Sequence, residues 1–83
     1  HHSDVAFSLN NLAGIYEAQG RYELAEPLYH QSLQLLRSLL GEQHPNIASS
    51  LNNLAFLSYK QGRYELAEQL FQQALQLRRS LLG

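Results

Sequence analysis

Apolar and polar positions follow the helical period along the whole chain. Between Asp4 and Gln19, the residues Val5, Leu9, Leu12, Ala13 and Tyr16 share one face, which predicts a helix buried on that side. Ser3 and Asp4 suit its entry, because their side-chain oxygens can accept first-turn N–H groups. Gly20 is expected to end it, since glycine takes the left-handed cap conformation without penalty. Arg21 and Tyr22 leave only a very short turn, so the next helix is an antiparallel neighbour. That helix is expected over residues 22–40. Its stripe is wide (Leu24, Ala25, Leu28, Tyr29, Leu33, Leu35, Leu36, Leu39, Leu40) and implies packing on more than one side. Pro27, near its start, predicts a mild bend. Gly41 closes it and Glu42–His44 form the link. Pro45 fits the first position of a third helix, where its missing N–H is no loss. The third helix is expected over 45–61, ended by Gly62, and the fourth over 64–82. No stretch reads as a strand. The expected fold is all-α, two stacked antiparallel helix-turn-helix hairpins covering residues 1–41 and 42–83.

The two halves are near copies. QGRYELAE occurs at 19–26 and again at 61–68, SLNNLA at 8–13 and 50–55, and RSLLG at 37–41 and 79–83. Superposing them matches about 26 of 41 positions at a period of about 42 residues, the signature of a stacked helical repeat that buries its core against its neighbours.

The unit resembles a tetratricopeptide repeat, in the longer form found in kinesin light chains and many signalling and adaptor proteins. Leu9, Leu12, Ala13, Tyr16, Gly20, Tyr22, Ala25 and Tyr29 fall on the family's spaced positions in the first copy. Leu51, Leu54, Ala55, Gly62, Tyr64, Ala67, Phe71 and Ala74 do so in the second. Small residues at 13, 25, 55 and 67 suit the close crossing of two helices, with aromatics beside them. Leu9 and Leu51 stand where tryptophan is common in the family. Ser58 replaces an aromatic and Ser32 an alanine, and both are expected to loosen local packing. Arg37 and Arg79 stand where the short form often has proline, so the helix continues.

On a helical wheel Phe7, Asn10, Asn11, Gly14 and Ala18 lie opposite the apolar face, and Ser49, Asn52, Asn53, Phe56 and Lys60 correspond to this side in the third helix. The resemblance implies that this side lines a concave groove that binds extended peptides. Asn10, Asn11, Asn52 and Asn53 offer the donor and acceptor that a peptide backbone needs. Phe7 and Phe56 offer apolar anchors, and Lys60 a partner for an acidic side chain or a C-terminal carboxylate. The plainer reading is that one asparagine of each pair bonds to a neighbouring helix, Phe56 packs on a neighbouring repeat, and Lys60 is a solvated charge.

Composition narrows the function. The chain has 83 residues, room for one small domain that buries roughly 60–65% of its unfolded surface. A net charge of −1 gives no reason to expect nucleic acid or an anionic membrane as partner. The chain has no cysteine, which removes disulfides, thiolate zinc sites and thiol nucleophiles and fits a cytoplasmic setting. No apolar run approaches a membrane span and no signal peptide is visible. His1, His2, His30 and His44 show no metal-ligand spacing, the serines lack a nucleophile-elbow context, and no phosphate loop occurs, so no enzyme, metal or cofactor is expected. The absence of methionine suggests a segment of something longer or an engineered sequence. His1 and His2 read as a tag remnant, although His2 falls on the repeat position of His44.

The expected function is a protein–protein interaction scaffold. The alternative is a self-assembling fragment, dimeric, swapped or stacked head to tail, or an engineered scaffold without a dedicated ligand. It arises because a solenoid generally needs about three repeats. Leu77, Leu81 and Leu82 on the last helix are candidates for such an association face. Leu36 joins them because its counterpart is Arg78.

Overall fold

A computed structural model describes residues 2–83; the readings of the His1 and His2 side chains lie outside what it describes. Among the described residues there are four helices and no strand: α1 (His2–Ala18), α2 (Tyr22–Leu40), α3 (Pro45–Lys60) and α4 (Tyr64–Leu82). α1 packs on α2 and α3 on α4, and the two hairpins meet chiefly through α2 against α3. The result is a slab of 37 × 33 × 14 Å.

The turns explain the sharp reversals. Gly20 adopts φ 76°, which lets its own N–H reach the Glu17 carbonyl at 2.9 Å and the Arg21 N–H reach the Tyr16 carbonyl at 2.8 Å. This crossed pair satisfies two carbonyls that the end of α1 would otherwise leave open. The second hairpin repeats it with Gly62 (φ 79°), Gly62 N–H on Tyr59 and Arg63 N–H on Ser58. At the start of α3, His44 is extended and its Nδ1 accepts the Asn46 N–H at 3.0 Å, with Pro45 in the first turn. α2 runs unbroken through Pro27.

The core lies between the hairpins. Ala13, Ala25, Ala55 and Ala67 are all buried where the helices of each hairpin pack, and Tyr29 and Leu33 of α2 meet Ile47, Leu51, Leu54 and Leu57 of α3 in one cluster. Three expectations are corrected here. Val5 and Leu12 are 50% and 41% exposed; the buried line of α1 is Ala6 and Ala13, because α2 covers only that flank. Ser32 does not loosen the packing: fully buried, it donates from Oγ to the Ala6 carbonyl at 2.7 Å and ties α2 to α1. Leu36 is not an exposed association residue; at 2% exposure it belongs to the core, covered where α2 meets α3.

Candidate interaction site

α1 and α3 run side by side in a constant register. Asn53 Nδ2 donates to Asn10 Oδ1 at 3.1 Å, and Lys60 Nζ donates to Glu17 Oε2 at 2.7 Å. Both pairs are 43 residues apart in sequence, so the two helices are parallel and the pairs lie two turns from each other along one seam. Beside the asparagine pair is a small pocket of about 50 Å³ walled by Phe7, Asn10, Asn46, Ser49 and Asn53, with Ser32 and Leu36 among its lining.

The wheel residues therefore divide. Phe7, Asn10 and Asn53 come together at this pocket, and Phe7 keeps an exposed ring. Asn11 is exposed and outside its lining. Asn52 turns towards α4: with its amide oxygen facing the guanidinium, it lies 3.1 and 3.2 Å from Arg78 Nη1 and Nη2. Phe56 stacks edge-on against Phe71 of its own hairpin, centroids 4.9 Å apart. Lys60 is ion-paired with Glu17 while its side chain remains 46% exposed. Of the residues expected at an association face, Leu81 and Leu82 are exposed, whereas Leu77 is partly buried against the core.

Glu17 had no place in the sequence reading, yet it organises the far end of the seam. Its Oε1 accepts from the Tyr29 hydroxyl at 2.7 Å while its Oε2 accepts from Lys60. Burial, then the hydrogen bond to this carboxylate, pushes the Tyr29 phenol well above its ordinary value. The same carboxylate, chiefly through its hydrogen bond, raises Lys60. The legible signal was spacing: Glu17 follows Asn10 by seven residues, as Lys60 follows Asn53. A further ion pair, Arg63 to Glu26 at 3.2 Å, joins the hairpins on the α2 side.

Among the described residues no group of three or more His, Cys, Asp or Glu is arranged to hold a metal, and no helix is long and apolar enough to cross a membrane. A family model described as tetratricopeptide repeat matches residues 4–80. The chain belongs to the tetratricopeptide-repeat family. Among curated proteins none matches it significantly. Tetratricopeptide repeats generally mediate protein–protein interaction on a scaffold that is generally non-enzymatic. Along the α1/α3 seam of this tetratricopeptide-repeat chain, Phe7, Asn10 and Asn53, three of the residues expected to bind a partner, come together.

Proposed function

We propose that the chain is a pair of the longer, kinesin-light-chain-like tetratricopeptide repeats, residues 1–41 and 42–83, and that it binds an extended peptide segment of a protein partner along the α1/α3 seam. One observation carries this reading. The Asn53–Asn10 bond uses one end of each amide and leaves the Asn10 Nδ2 as a donor beside the Asn53 Oδ1 as an acceptor. A peptide unit lying across the seam offers the complementary C=O and N–H. The adjoining pocket, about 50 Å³, takes a small side chain, and Phe7 forms an apolar wall for its neighbour. Lys60 and Asn52 serve here as supports, since each is already engaged by Glu17 or Arg78. The absence of cysteine fits a reducing, cytoplasmic setting.

The test is a fluorescence-anisotropy screen of extended peptides carrying small residues, followed by Asn10→Ala and Asn53→Ala. Each substitution is expected to weaken a bound peptide about fivefold or more, with helicity unchanged by circular dichroism. Binding that survives both at full strength would remove the seam as the site.

A further inference from the structure

Lys60 is the single lysine of the chain, and its side chain is 46% exposed at the far end of the α1/α3 seam. By residue type it suits an acidic side chain or a C-terminal carboxylate of a partner. Its charge is already met from within, because Nζ donates to Glu17 Oε2 at 2.7 Å. Glu17 is fixed from its other side as well. Its Oε1 accepts from the Tyr29 hydroxyl at 2.7 Å, and only 11% of its side chain is exposed. Tyr29 belongs to the core, so the carboxylate cannot turn out to solvent without giving up a bond to a fixed partner.

This arrangement decides what an arriving charge gains. A carboxylate beside the intact pair lies close to both the ammonium and Glu17, so attraction to one is offset by repulsion from the other. A carboxylate that displaces Glu17 leaves a sheltered negative charge without its cation, which costs more than parting an exposed ion pair. An arriving cation meets the ammonium first, because Lys60 is the exposed member of the pair and Glu17 the sheltered one. An uncharged segment meets neither penalty, and the remaining ammonium N–H groups can donate to its carbonyls. Nor is the pair a requirement of the repeat. The position of Glu17 holds Tyr59 in the second copy, and the position of Lys60 holds Ala18 in the first.

We infer that Glu17 is a specificity-determining residue of the seam: by holding Lys60 from inside, it makes the seam select a partner segment that is uncharged where it passes this pair. The inference rests on the peptide-binding reading of the seam. The asparagine pair and the ion pair stand two helical turns apart, about 10.5 Å, which an extended chain covers in about three residues. The uncharged position is therefore the third from the residue seated at Asn10 and Asn53.

The test has two arms. The first needs no peptide. With isotope-labelled lysine, Lys60 gives one side-chain signal, whose titration is followed by nuclear magnetic resonance. Its midpoint is expected above the ordinary 10.5 and is expected to fall in Glu17→Gln. A midpoint at or below 10.5 in the unaltered chain, or one indifferent to Glu17→Gln, would overturn the proposal. The second arm takes a peptide whose binding Asn10→Ala and Asn53→Ala weaken. Versions of it carry glutamine, glutamate or lysine at the third position to either side. The unaltered chain is expected to bind the glutamine version at least as tightly as either charged one. Glu17→Gln is expected to turn the preference to the glutamate version by about fivefold, and Lys60→Gln to turn it to the lysine version by a similar factor. Both shifts are expected to shrink in concentrated salt, with helicity retained by circular dichroism. A glutamate preference in the unaltered chain, or an unchanged preference in Glu17→Gln, would sink the proposal. If no peptide depends on Asn10 and Asn53, the seam is removed as the binding site and the selectivity with it; the first arm tells that result apart from a failure of Glu17 to hold Lys60.

Discussion

Leu33 and Leu75 occupy the same place in successive hairpins, each opening a Leu-Gln-Leu run, yet Leu33 is 4% exposed and Leu75 48%. The contrast runs through the molecule. The inner helices α2 and α3 bury residues on two flanks, each touching its hairpin partner and the other hairpin. The outer helices α1 and α4 pack closely on their own hairpin partner alone, α1 adding only the polar contacts of the α1/α3 seam, and α4 buries just Ala67 and Ala74. In a stacked repeat, burial is thus set by the presence of a neighbour as much as by residue type, and an apolar residue contributes to stability only where that neighbour has arrived.

The strongest way to break this contrast is to exchange a position where a covered leucine of the first hairpin answers an exposed arginine of the second. Leu36→Arg puts an unpaired cation into a covered site and is expected to remove about 3 kcal/mol of stability. The reciprocal Arg78→Leu, at an exposed site, is expected to change the dilute chain by less than about 0.5 kcal/mol. Urea titration monitored by circular dichroism measures both, and equal losses would mean that inner and outer positions are not distinct. Next comes Leu33→Ala against Leu75→Ala: about 2–4 kcal/mol is expected for the inner leucine and under about 1 kcal/mol for the outer one.

The smallest effect tests a polar difference. The first hairpin has Tyr29 bonded to Glu17, where the second has Phe71 and Tyr59. Folding holds the Tyr29 phenol neutral above its ordinary value of 10.0 and holds Lys60 protonated above its ordinary 10.5. Both raised values have the same sign: the folded chain retains protons that the unfolded chain releases, so the contribution is complete at lower pH and is lost as pH rises beyond about 10. Tyr29→Phe is expected to lower stability near neutral pH by about 1 kcal/mol and to flatten the alkaline decline, leaving the shallow part due to Lys60. An unchanged decline would place the alkaline sensitivity elsewhere.

Local signals made much of the fold legible. Positive-φ glycines stand at 20 and 62 where the chain reverses, Pro45 opens α3, and apolar spacing runs the length of every helix. These features act within a turn or two, and the near-identity of the halves doubled each of them. The site was legible only in part. Phe7, Asn10 and Asn53 do converge, but adjacent asparagines on a helix point about 100° apart, so which of each pair faces the seam depends on where the neighbouring helix lies. The same uncertainty hid Glu17, whose two partners come from α2 and α3.

By itself, then, the sequence determined the helices, their antiparallel turns and the period at which they recur, because glycine caps, proline and 3.6-residue spacing are properties of a few neighbouring residues. Only the tertiary structure decided that Leu36 is covered while Val5 and Leu12 are not, that Ser32 bonds to Ala6, and that Lys60 belongs to Glu17. Those outcomes depend on which helix arrives beside which flank, and a repeated sequence presents the same flank twice while the fold covers it only where a neighbour is present.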